Sequence, residues 1–213
     1  TLFRGLPEHG LERDTLELAD GDFLDLDWRR GFGSSLVIVS HGLEGHSRRP
    51  YVLGVMHEAN RQGMDALSWN FRGCSGRPNR LPRSYHSGAT EDLAAVVGYA
   101  IQWGYERVHL VGFSMGGNLS LLYAGRDGAD PAVKSVVAFS VPCDLNASAL
   151  QLAKKRNRVF MWRFLRDLRV KMTDKAQRFP QLVSVQGYRR IRTFQQFDDR
   201  YTAPLHGFED AHD

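Results

Sequence analysis

Apolar positions in this chain follow two periods, and the period changes along its length. Thr15 to Leu18 and Phe23 to Trp28 alternate apolar with charged residues around Asp20-Gly21, which predicts a β-hairpin with one wet face at a sheet edge. Ser35-Leu36-Val37-Ile38-Val39-Ser40 is continuously apolar, as expected of a strand buried on both faces. Pro50 then opens a helical pattern, with Val52, Val55, Met56 and Ala59 on one side and Gly63 as the stop. A short strand over Ala66 to Trp69 comes next. A helix through Leu93, Val96, Val97, Ala100 and Ile101 follows, with Thr90 as its cap and its end near Gly104. The run Val108 to Val111, a small-residue helical stretch, and a buried strand over Ala132 to Val141 complete the series. From Ser35 to Val141 the order is strand, helix, strand, helix, strand, helix, strand. That order predicts an α/β fold with a mostly parallel sheet and right-handed crossovers. Ligands in such sheets bind beyond the carboxyl ends of the strands.

After Cys143 the pattern changes. Lys154-Lys155-Arg156-Asn157-Arg158 precedes Met161, Phe164, Leu165, Leu168 and Met172 at helical spacing, with Arg163, Arg166, Arg169 and Lys171 between them. This is a basic amphipathic helix, either a solvated cover or a surface for peripheral membrane contact. Leu182 to Val185 is too short, and too polar around it, to form a buried strand.

Composition narrows the class. The 213 residues are 42% hydrophobic and 24% charged, which fits a folded soluble chain. No apolar run reaches transmembrane length, and no basic start leads into an apolar signal core. The chain opens at Thr1, which leaves a removed leader or anchor open. Two cysteines, Cys74 and Cys143, make no disulfide framework and no zinc spacing, so no metal is expected and a reducing, cytoplasmic setting is the default. A net charge of +4 is too mild to indicate a nucleic-acid partner without a clustered face. Oligomeric state leaves no mark in the sequence.

Chemistry concentrates in Gly112-Phe113-Ser114-Met115-Gly116. A Gly-x-Ser-x-Gly core between a strand and a helix is the pattern of a nucleophile elbow, with Ser114 at the apex and small residues allowing the tight bend. The first amide of the following helix, Met115, would face the substrate oxygen. A second amide is expected from the loop His41-Gly42-Leu43-Glu44-Gly45, at Leu43, where Gly42 allows close approach. Chain order argues against His41 as the base, because the order in this architecture is serine, acid, histidine. His41 reads as a loop-orienting residue, and His46, His57, His86 and His109 as structural or surface groups. Arg72 reads as structural rather than anion-binding, and Glu44 as a residue that orders its loop or touches substrate.

His41-Gly42-Leu43-Glu44-Gly45, Tyr85-His86-Ser87-Gly88 with Thr90-Glu91-Asp92-Leu93, and Gly112 to Asn118 stand in that order. Together they resemble the YheT-like branch of the α/β-hydrolases, and Phe197 to Phe208 is similar to the same branch. The resemblance implies an α/β-hydrolase fold with an inserted helical lid, serine esterase or lipase-type chemistry on a small ester or lipid substrate, and no cofactor. It divides the chain into a core over 1–142, a lid over 143–205 and the start of a return to the core over 206–213. In that branch the triad acid and histidine follow two further strands, which are not found here, so the chain reads as truncated and feeble on its own. Asp198 or Asp199 with His206 has the right order but no strand to seat it. Acyl transfer to an alcohol, or a non-catalytic hydrolase-like binding module, are the alternatives.

Overall fold

The computed structural model describes residues 10–125 and 129–212. Two compact units emerge. Of these described residues, one unit takes in those up to Arg77 together with those of Ser87–Val141; the other takes in Pro78–His86 and those from Pro142 to His212.

The first unit is a six-stranded sheet in the order β1-β2-β4-β3-β5-β6. Strand β1 (Glu12–Glu17) pairs antiparallel with β2 (Phe23–Arg29), which pairs antiparallel with β4 (Asp65–Trp69). Strand β3 (Ser35–Ser40) lies parallel between β4 and β5 (Arg107–Phe113), and β6 (Val133–Phe139) runs parallel to β5. Helices α1 (Pro50–Arg61), α2 (Thr90–Gln102) and α3 (Met115–Gly125) make the crossovers. The continuous apolar run of β3 is explained by its place, with a strand on each edge. On one face Val37 and Val39 meet Val52, Leu53 and Met56 of α1, at the spacing read from the sequence. The sheet is thus mostly parallel, with an antiparallel hairpin at one side.

Three expectations need correction. Strand β2 has no wet face: Phe23 to Trp28 are all buried, Asp25 and Asp27 included. Arginines replace the water. Arg13 binds Asp27 at 2.7 Å, Arg48 binds it at 2.9 Å, and Arg77 binds Asp25 at 2.7 Å. Burial opposes the charge on Asp27, but bonds from Arg13, Arg48 and Ser47 outweigh it and hold the carboxyl below its ordinary range. Thr90 does not cap α2: it is the first helical residue, and the cap position, Ala89, offers no side-chain bond. Strand β6 is not buried throughout. Among the described residues it pairs with β5 alone, and Val137 and Phe139 are exposed.

In the second unit Asp144 caps α4 (Leu145–Ala153), accepting a bond from the Ala147 amide at 2.8 Å. Helix α5 (Arg158–Arg178) buries Met161, Leu165, Leu168 and Met172 against Tyr188, Ile191, Phe197 and Tyr201. Lys175 is buried on the same helix. Its ammonium donates to Asn79 Oδ1 at 3.0 Å and to the Leu81 carbonyl at 2.9 Å. These bonds tie Pro78–His86 to α5, and that segment groups with this unit. Residues 206–212 fall in the same group: the rings of His86 and Phe208 meet edge to face at 5.2 Å. No described residue beyond β6 lies in a strand.

Candidate active site

Strand β5 ends at Phe113 and α3 begins at Met115, so Ser114 alone makes the turn. Its backbone is left-handed, with φ of 52°, a costly region for any residue with a Cβ. The surrounding bonds hold it there. The Ser114 amide donates to the Phe139 carbonyl at 2.8 Å, and the Ser114 carbonyl accepts from Asn118 at 3.0 Å. The side chain is exposed, while Met115, Gly116 and Gly117 behind it are buried. The two flanking glycines are needed for separate reasons. A Cβ on Gly112 would lie 2.5 Å from Gly117 Cα, and one on Gly116 would lie 2.6 Å from the Ser40 carbonyl oxygen. The first contact sets how closely strand meets helix, and the second how closely the helix meets the end of β3.

That end of β3 leads into the loop His41 to Arg49. Gly42 stands against the turn, since a Cβ built on it would be 3.4 Å from Ser114 Cβ. The loop is locked from inside. His41 is buried, and its Nε2 accepts from the Phe71 amide at 3.2 Å. The proton therefore sits on Nδ1, which donates to the Gly42 carbonyl at 2.7 Å. The Gly45 amide donates to that same carbonyl at 2.9 Å, closing a turn with Leu43 and Glu44 at its centre. Glu44 has φ of 52°, as the third position of a type II turn requires. A trans peptide sets N–H opposite to C=O. With the Gly42 carbonyl held by two donors, the Leu43 N–H points the other way. Among the described residues neither Leu43 N–H nor Met115 N–H has a protein acceptor.

Three residues that sequence reasoning passed over hold this loop. The Tyr51 hydroxyl accepts from the Gly42 amide at 3.1 Å, and its ring packs on Phe113 at 4.7 Å. Burial raises the Tyr51 pKa from its ordinary value, which keeps the phenol protonated at neutral pH. At the other end Ser47 donates its amide to Asn70 Oδ1 at 3.0 Å and its hydroxyl to Asp27. Asn70 returns a bond to Ser47 Oγ at 2.9 Å. Tyr51 follows Pro50 and reads as an ordinary first-turn helix residue. Ser47 and Asn70 are loop polars with no distinguishing pattern, so no sequence signal marks them.

The remaining candidates have other employment. Arg72 is buried and structural: it makes a bidentate pair with Asp92 at 2.7 and 2.8 Å and further pairs with Asp20 at 2.6 Å and Asp22 at 3.2 Å. Burial works against its charge, yet Asp92 and then Asp20 raise its pKa further. His46 Nδ1 accepts from the Arg48 amide at 3.2 Å, and His109 pairs with Ser135 Oγ at 2.8 Å. Asp198, Asp199 and His206 are not bonded to one another as a triad pair would be. His206 Nδ1 donates to the Thr202 carbonyl at 2.8 Å, Asp198 accepts from Thr202 Oγ1 at 2.6 Å, and Asp199 accepts from the Ala211 amide at 2.9 Å.

A family model described as alpha/beta hydrolase fold matches residues 35–203. The chain is 36% identical to YheT of Escherichia coli (strain K12), which bears an esterase name, over 93% of this chain and 60% of that protein. It is 27% identical to phospholipase ABHD3 of Bos taurus, over 94% of this chain and 51% of the relative. It is 26% identical to monoacylglycerol lipase of Saccharomyces cerevisiae, over 83% and 41%. The chain thus spans 60% or less of the length of these curated relatives. Among solved structures it is similar in fold to the esterase Pf2001 of Pyrococcus furiosus, with a TM-score of 0.59 at 20% identity, covering 72% of this chain and 60% of that one.

Proposed function

From the premise that this chain belongs to the α/β-hydrolase fold family, we propose that the protein is a serine hydrolase of carboxylic esters, with acyl-chain or lipid-like substrates. The observation that carries this reading is the strained, exposed Ser114, with Gly42 of the His41–Arg49 loop packed against it. In the reaction Ser114 Oγ attacks the ester carbonyl carbon, and a base takes its proton. Negative charge gathers on the carbonyl oxygen, where the Leu43 and Met115 amides receive it. The oxyanion then collapses, the C–O bond breaks, and the alcohol leaves with a proton from the same base. Water attacks the acyl-enzyme, releasing the acid and restoring Ser114. His41 is not that base, since it is buried with one ring nitrogen bonded to the Gly42 carbonyl and the other to the Phe71 amide. An acid–histidine pair fills the role, and no residue of this chain is assigned to it. The lipid-like substrate class draws support from the phospholipase and lipase names of two relatives.

A parallel assay of the protein, in the longest form its gene encodes, tests the reading. p-Nitrophenyl acetate, butyrate and octanoate should all be turned over, with kcat/KM rising with chain length. p-Nitrophenyl phosphate should be untouched. Phosphate turnover alone, or no ester turnover, would remove the proposal.

A further inference from the structure

Helix α5 has two working faces, and the hydrolase reading uses neither. The inward face, Met161 to Met172, closes the core of the second unit. The outward face carries Val159, Trp162 and Val170, which are 68%, 62% and 70% exposed, and Phe160 flanks them at 61%. Successive turns bring Val159, Trp162, Arg166 and Val170 onto one stripe about 16 Å long. Arg166 lies over the Trp162 ring at 5.3 Å, and Arg163 sits beside it, exposed.

The charge around this stripe is one-sided. Residues 154–171 hold eight lysines and arginines and one acidic residue, Asp167, so this short stretch exceeds the +4 surplus of the whole chain. Asp167 is bonded to Arg166 at 2.8 Å, which leaves Arg163 and the run Lys154 to Arg158 as the dominant charges nearby. Exposed large apolar groups set among cations are the composition of a surface that meets an anionic, partly apolar medium.

We propose that the outward face of α5 docks on the surface of an anionic lipid bilayer, with the helix lying in the interfacial plane. Trp162 and Phe160 enter the headgroup–acyl boundary, where aromatic rings are favoured. Val159 and Val170 gain by leaving water, while the arginine stems run along the apolar layer and keep their guanidinium groups at the lipid phosphates. Nucleic acid fits this face less well. It would match the charge and stack on Trp162, but it offers nothing to Val159 and Val170. The inference does not rest on the chemistry of Ser114.

Sedimentation with vesicles tests it without reading activity. The protein should bind vesicles of phosphatidylcholine with one-third phosphatidylglycerol about tenfold or more tightly than pure phosphatidylcholine, and the difference should shrink in 0.5 M salt. The Phe160→Ser, Trp162→Ser double variant should lose about tenfold in binding to the anionic vesicles. Arg163→Glu with Arg166→Glu should weaken the anionic preference several-fold. All these positions are exposed, so unchanged circular dichroism and unchanged turnover of a water-soluble ester separate docking from folding and from catalysis. Equal binding by the variants, no vesicle binding, or preference for a single-stranded oligonucleotide over vesicles would each overturn the proposal.

Discussion

Ser114→Ala should lower kcat for a nitrophenyl ester by roughly a million-fold, the scale of loss when a serine nucleophile is deleted. Removing Oγ removes the bond-forming atom, while Cβ stays and the turn keeps its shape. Substrate contacts survive, so KM should change little. Ser114→Gly should be equally inactive, but its stability is informative. Alanine to glycine ordinarily costs about 0.5–1 kcal/mol. At φ of 52° the Cβ is itself a burden, so Ser114→Gly should be at least as stable as Ser114→Ala in urea. A glycine variant clearly less stable than the alanine variant would mean that the elbow stores no backbone strain.

Arg72→Met should be the most damaging change to the fold, costing about 3–5 kcal/mol, the usual penalty for breaking a buried ion pair from one side. Methionine fills the space but takes the guanidinium away from the buried carboxylates of Asp92 and Asp22 and from Asp20 beside them. Three parts of the first unit come apart together: the β1–β2 turn, the exit of β4 and the first turn of α2. Arg72→Lys should recover only part of the loss, because an ammonium cannot reproduce the two-pronged bond to Asp92. The pH dependence has a definite sign. Losing the guanidinium removes an interaction that favours the ionised carboxylates, so the variant loses less than the parent when they are protonated. The gap between variant and parent should therefore narrow as pH falls toward 4. An unfolding free energy from urea titration within about 0.5 kcal/mol of the parent would show that Arg72 is dispensable.

The parts of this protein that could be read from sequence are those fixed by neighbouring residues. Strand β3 is one, because burial on both faces leaves an unbroken apolar run. The elbow is another, because two glycines must stand at fixed offsets from Ser114. What escaped depends on partners far away in the chain. Asp25 and Asp27 alternate with Leu24 and Leu26 as a wet strand would, and Arg13, Arg48 and Arg77, with Ser47 and Thr15, make them interior. Thr90 has the chemistry of a cap but lies one residue inside the helix. Strand β6 looks buried because it is rich in valine, yet among the described residues it pairs with β5 alone. The His41–Arg49 loop shows both cases. The close approach of Gly42 to Ser114 is legible from its place after a buried strand. The devices that hold the loop, His41 in one tautomer, the Tyr51 hydroxyl and the Ser47–Asp27–Asn70 bonds, are contacts that no spacing rule encodes.

The central claim is that Ser114 is an activated hydroxyl beside two free amides. A fluorophosphonate probe tests it most directly, because the probe reacts only with a serine so placed and leaves its phosphonyl oxygen where the ester oxygen would sit. Digestion and mass spectrometry should find a single adduct, on the peptide that carries Ser114, and none on the Ser114→Ala variant. An adduct on another residue, or equal labelling of the variant, would contradict it.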